Sequence, residues 1–220
     1  MPYGPQFRKH SVQPILKRLR FGSICLIIKR NRFGKASIAF MKWFVRENLL
    51  LALCGLNCGL CQMQLGGYCP GCGGGPGNQS CRIARCAMEH GHVAYCWQCA
   101  QYPCAEYTAW DTGDSFVIRR NRAKDAERAS SDLAAYMLEL NERMVVLKAL
   151  LDGYNDGRRK RFFVACVSLL PISELREAVS LLNGDESLMQ KPVADRAAHA
   201  ALIFRQMAAK SGVELRFRQK

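Results

Sequence analysis

Ten of the chain's twelve cysteines fall between Cys54 and Cys104, and that density constrains the fold more than any other feature. Their order is Cys54-x3-Cys58-x2-Cys61-x7-Cys69-x2-Cys72-x8-Cys81-x4-Cys86-x9-Cys96-x2-Cys99-x4-Cys104. Nine glycines, half of the chain's 18, lie between Gly55 and Gly77. Glycine weakens helix and strand interiors alike, so this stretch is read as turns, not as a long regular element. A C-x2-C turn aims two sulfurs at one point, and two such turns complete a tetrahedron around Zn²⁺. In Cys69-Pro70-Gly71-Cys72-Gly73, proline fixes the turn and glycine lets backbone N–H groups approach sulfur.

The competing explanation for so many cysteines is a disulfide framework, which needs an oxidising compartment. No secretory signal precedes the cysteines, and paired C-x2-C units are typical of metal sites. All ten, Cys54, Cys58, Cys61, Cys69, Cys72, Cys81, Cys86, Cys96, Cys99 and Cys104, are therefore candidate ligands, with at least eight in use. The expected cofactor is zinc, two ions, with an iron–sulfur cluster as the alternative. The simplest partition puts Cys58, Cys61, Cys69 and Cys72 in one site and Cys81, Cys86, Cys96 and Cys99 in the other. Cys54 and Cys104 are then spare, or replace members in an interleaved arrangement. Cys25 and Cys166 stand in apolar settings and read as buried free cysteines.

The runs Cys54-Gly55-Leu56-Asn57-Cys58-Gly59-Leu60-Cys61, Cys69-Pro70-Gly71-Cys72, Cys81-Arg82-Ile83-Ala84-Arg85-Cys86, Tyr95-Cys96-Trp97-Gln98-Cys99 and Tyr102-Pro103-Cys104 resemble the bacterial and archaeal domain-of-unknown-function family numbered 3795. The resemblance covers about 54–107. It implies a small metal-binding module with a helical partner region, and no activity.

Charge divides the chain. The formal net charge is +14, from 32 basic and 18 acidic residues. Residues 1–46 carry eleven of the basic residues and no acid, which leaves 21 basic against 18 acidic, or +3, for 47–220. The high charge therefore belongs to an arm, 1–46, read as disordered or as lying upstream of a true start near Met41. Such an arm is a possible nucleic-acid contact. A protein is the partner expected first. No apolar run approaches the ~18–20 residues of a membrane span, so the expected location is cytoplasmic.

The cysteine-rich module is assigned to 47–108 and a mainly helical region to 109–220. Leu133, Met137, Leu140, Met144, Leu147 and Leu151 recur at spacings 4-3-4-3-4, one face of a helix, with Ser131 as N-cap and Gly153 as stop. Phe162 to Leu170 is a buried helix or strand. Ser173–Asn183 and Pro192–Lys210 read as helices ended by Gly184 and Gly212. Val213-Glu214-Leu215-Arg216-Phe217-Arg218 alternates as a short C-terminal strand does.

Other candidates carry weaker signals. His90 follows Cys86 by four and lies within reach of the same ion, but it and His92 read first as surface residues. Arg82 and Arg85 offset thiolate charge. Trp97 and Tyr102 suit base stacking, but fit better as the core of a module short of apolar residues. Arg158-Arg159-Lys160-Arg161 is a basic run at a helix start, read as a solvated loop or an anion contact. Cys54-x3-Cys58-x2-Cys61 is also the spacing of radical S-adenosylmethionine enzymes, but no alternating strands and helices follow. Neither a Ser–His–Asp arrangement nor an H-E-x-x-H helix is present, and all-cysteine zinc sites are closed and structural. The chain is thus read as a zinc-stabilised binding or adaptor module, not an enzyme. An iron–sulfur redox protein is the alternative and nucleic-acid binding a weaker one.

Overall fold

Helices account for most of the chain's regular structure, and the longest of them organises the rest. The computed structural model describes residues 44–75, 81–109 and 113–219. Cys25 and nearly all of the basic arm lie outside these residues. The helices are α1 (Gln62–Leu65), α2 (Arg82–Glu89), α3 (Ala105–Thr108), α4 (Arg122–Ser131), α5 (Leu133–Gly153), α6 (Lys160–Leu169), α7 (Ile172–Asn183) and α8 (Val193–Lys210). Single 3-10 turns sit at Cys58–Leu60, Cys96–Gln98 and Leu188–Gln190. Among the described residues the only β-type pairing is the isolated bridge Leu51 to Asn57.

α5 packs against α4, α6 and the Cys58–Leu60 turn, while α7 packs against α8. Its buried face is Tyr136, Leu140, Arg143, Leu147 and Leu150, continued by Tyr154. That face is rotated by about one residue from the apolar stripe expected from the sequence. Leu140 and Leu147 belong to both, Met137, Met144 and Leu151 are half-buried, and Leu133 is exposed. The helix turns this way because Tyr136 and Arg143 bury long stems whose polar tips find partners. Arg143 donates to the carbonyls of Val167 and Leu170 and pairs with Glu139.

Two expectations are corrected here. The N-cap of α5 is Asp132, whose side chain accepts from the Ala135 N–H at 2.9 Å; Ser131 instead ends α4. A carboxylate at that position favours the positive helix start, which a hydroxyl does less well. Residues Val213–Arg218 do not form a strand. They keep the alternation, with Val213, Leu215 and Phe217 half-buried and Glu214 and Arg216 exposed. Their neighbour is irregular chain, which supplies isolated bonds in place of a ladder: the Asp114 N–H donates to Arg218 O, and Arg120 to Glu214 O. The segment 162–169 is helical, within α6, with Leu170 as its extended C-cap, and buries Phe163 to Val167, including Cys166. α8 ends as expected at Gly212 (φ +65°), where the Val213 N–H reaches Ala208 O and the Gly212 N–H reaches Ala209 O. This pair of bonds satisfies the last carbonyls of the helix.

The described core has two adjoining parts. One joins α4 to α8 with Leu51, Leu60 and Tyr95. The other gathers Leu53, Leu56, Ile83, Met88, Tyr107 and Val117 around Cys54 and Cys72. Leu51 and Leu60, both with no exposed surface, thus carry the cysteine-rich segment into the helical core.

Candidate metal centre

The cysteine segment is a series of short turns whose corners are cysteines. Cys58-x2-Cys61 and Cys96-x2-Cys99 have the same local form: each is one 3-10 turn in which the closing N–H donates to the opening carbonyl at 3.0 Å. The closing residues match, with φ, ψ of −78°, 131° at Cys61 and −80°, 134° at Cys99. Cys61, Cys81 and Cys104 occupy the N-cap positions of α1, α2 and α3, all in extended conformation. Free amides at a helix start favour negative charge, which suits a thiolate. Gly71 (φ +93°) makes the third turn; a Cβ there would lie 2.4 Å from Leu49 O, so only glycine fits.

The sulfurs fall into two neighbourhoods. Cys86, Cys96, Cys99 and Cys104 line one cavity of about 30 Å³, with Ile83, Ala87, Val93, Tyr102 and His90 completing the wall. Cys54, Cys58, Cys61, Cys72 and Cys81 form the other, each within electrostatic reach of at least one other member. Their membership corresponds to the interleaved alternative. Cys104 joins Cys86, Cys96 and Cys99, while Cys81 lies with Cys54 and Cys72. α2 spans the gap between them, with Cys81 at its head and Cys86 one turn further along. Cys69 is half-buried beside the Pro70–Gly71 turn, its N–H bonded to Met63 O.

Burial and like neighbours set the acidity of these thiols. Burial pushes Cys54 up to about 11, against an N–H from Leu56 that favours the thiolate. Burial first, then the thiols of Cys72, Cys54 and Cys61, drives Cys58 higher still. Cys72 is also raised by burial, opposed by the Leu53 N–H and by the guanidinium of Arg46. Burial first, then the thiols of Cys54, Cys104 and Cys86, raises Cys96, so Cys54 lies within reach of both neighbourhoods; burial, then Cys104 and Cys99, raises Cys86. A set of thiols that hinder one another's ionisation is relieved by a bound cation, which inverts the local preference.

Among the described residues no three cysteine, histidine or acidic side chains converge closely enough to hold an ion as they stand. The fit to zinc rests on the donor set. Four thiols around one small apolar cavity match a closed structural site in number and kind.

His90 places Nδ1 3.6 Å from the Cys86 sulfur and 2.9 Å from its carbonyl oxygen, so it lies beside the group of Cys86, Cys96, Cys99 and Cys104. His92 is exposed, with φ +57°. Arg82 pairs with Glu106, tying α2 to α3. Trp97 stacks on Tyr95 with ring centres 4.2 Å apart, and Tyr102 meets Tyr107 edge-on at 4.7 Å, so both aromatics serve the interior. In the basic run, Arg159 pairs with Asp156, and Arg161 lies over the Phe217 ring at 4.6 Å.

Two arginines that sequence reasoning left out support the centre. Arg46 donates to Leu51 O at 2.9 Å and sits beside Cys72. Arg122, 5% exposed, donates to Tyr107 O and stacks on the Tyr107 ring at 4.0 Å. No sequence motif marks either one, because their partners are backbone oxygens brought near only by folding. No family model, curated protein or solved structure was found to match this chain.

Proposed function

We propose that the chain is a zinc-stabilised binding module carried on a helical scaffold, with no catalytic role. The observation that carries this reading is the cavity of about 30 Å³ lined by Cys86, Cys96, Cys99 and Cys104. A second ion would be held by four of Cys54, Cys58, Cys61, Cys72 and Cys81. Bound zinc supplies charge neutralisation and a cross-link, and no open ligand position for chemistry. The protein's own residues do the rest. The helix starts at Cys61, Cys81 and Cys104 and the N–H groups of Leu53 and Leu56 favour thiolates, while Arg46 offsets their charge. The similarity to the cysteine-rich family numbered 3795 points the same way.

A protein is the partner this reading favours. The only dense basic run outside the arm is engaged in part, through Arg159 and Arg161, with the protein's own side chains. That weakens the case for a nucleic-acid surface there. No helix among the described residues is long and apolar enough to cross a membrane.

Metal counting on Cys→Ala variants tests the reading. Cys99→Ala and Cys104→Ala should each lose one equivalent of zinc and keep the other. A wild-type chain that takes up no stoichiometric metal under reducing conditions would overturn it.

A further inference from the structure

Two arginines are buried among the described residues, and they are treated differently. Arg143 has a carboxylate, Glu139, at 2.9 Å. Arg122 has none among the described residues. Its guanidinium lies 4.0 Å from the Tyr107 ring centre, and Nη2 donates to Tyr107 O at 2.5 Å. Nη1 is buried with no hydrogen-bond partner. Arg122 is also the first residue of α4, at the positive end of the helix dipole, where a cation is disfavoured. A guanidinium cannot shed its proton to escape burial, and a buried charge without a counter-charge is costly.

What lies within reach of this cation is sulfur. Gly55, at φ +85°, lets the turn after Cys54 close onto α4: a Cβ there would lie 2.7 Å from Arg122 O and 2.9 Å from Ala126 Cβ. The Arg122 charge favours the thiolate of Cys54, in the five-cysteine group, and that of Cys96, at the small cavity. Arg46 does the same for Cys72 alone of these three. Four thiolates around one Zn²⁺ leave a net charge of about −2 on each centre. Cys54 and Cys96 also raise one another's cost of ionising, so the two centres repel across the gap that Arg122 adjoins. A fixed cation there offsets both.

We propose that Arg122 is a counter-ion shared by the two thiolate centres, a positioning residue that binds no ion itself. The inference rests on the metal-centre reading. In the metal-free chain Arg122 is a buried charge without a partner. When ions bind, thiolates replace thiols beside it and it gains one. The same side chain therefore opposes the metal-free fold and favours the metal-bound one.

The test compares the full-length wild type with Arg122→Met and Arg122→Lys. Methionine keeps an apolar stem and drops the charge; lysine keeps the charge and drops the planar fork. Zinc affinity is read by competition with a chromophoric chelator under reducing conditions, and metal-free stability by urea unfolding. Arg122→Met should bind zinc ~10–100-fold more weakly, the range for residues just outside a ligand shell. Its metal-free midpoint should be unchanged or raised. Arg122→Lys should recover most of the affinity. With Co²⁺ in place of zinc, the sulfur-to-metal charge-transfer band of Arg122→Met should move to longer wavelength, because sulfur electrons are held less tightly once the cation is gone. Unchanged zinc affinity, an unmoved cobalt band, or a weaker affinity matched by a lower metal-free midpoint and not recovered by lysine would overturn the counter-ion and leave the metal centre standing. A wild-type chain that takes up no zinc would remove the metal centre and this inference with it.

Discussion

Asp125→Asn should stabilise this protein at neutral pH, against the usual effect of altering a hydrogen-bonded buried residue. Burial, the largest influence, raises the Asp125 carboxyl from 3.8 to about 6, although the Tyr136 hydroxyl, Arg143 and Arg128 all pull it down. The folded state thus holds the proton more tightly than the unfolded state does. The stability this gives is fully present below pH 3.8 and is lost as pH rises through about 6. At ~1.4 kcal/mol per tenfold, the ionised form costs about 3 kcal/mol at pH 7.5 and about 1.5 kcal/mol at pH 5. Asparagine bears no charge at either pH and keeps an oxygen for the Asn57 amide. Urea unfolding of both proteins, side by side at the two pH values, measures the difference and cancels whatever the cysteines contribute. The variant should lead by ~2–3 kcal/mol at pH 7.5 and by about half that at pH 5. A variant less stable at both pH values, or a lead that does not change with pH, would refute the reasoning.

Other perturbations probe other parts. Gly71→Ala puts a methyl 2.4 Å from Leu49 O at φ +93°, and should cost more than ~2 kcal/mol in chemical denaturation and weaken zinc retention; an unchanged midpoint would show that the turn can relax. Arg143→Met removes one of the two arginines paired with Glu139 and leaves the Val167 and Leu170 carbonyls without their guanidinium donor, and should cost ~2 kcal/mol, measured as a fall in melting temperature. Asp132→Ala removes the cap of α5 at a cost of ~1 kcal/mol by urea unfolding. Chelation should expose the amides of 81–104 to hydrogen exchange first. α5 should follow in part, since Leu60 and Tyr95 share its core; protection unchanged after complete metal removal would contradict the metal's structural role.

The helices were legible where one signal dominated. Proline, glycine and apolar spacing located α7 and α8 to within a residue, because such boundaries are set locally. The orientation of α5 was not legible, since its buried line includes Arg143, Tyr136 and Tyr154, which an apolar count ignores. α4, with only Ala126 and Ala129 as its buried apolar residues, carries almost no stripe. The alternation at 213–218 was real but insufficient, because a strand needs a neighbour that sequence does not reveal. Among the cysteines, the turn-forming pairs were plain from spacing. The grouping of Cys81 and Cys104 depends on how α2 and α3 fold back, a tertiary fact that loop length biases only weakly.

The central claim is that the cysteine turns exist to hold zinc. Anaerobic purification of the whole chain, followed by elemental analysis and an ultraviolet–visible spectrum, tests it most directly. The account predicts a colourless protein with two zinc ions per chain, each site built from four thiolates. A brown protein absorbing near ~400 nm and bleached by dithionite, with iron and acid-labile sulfide, would contradict it and assign the cysteines to redox chemistry.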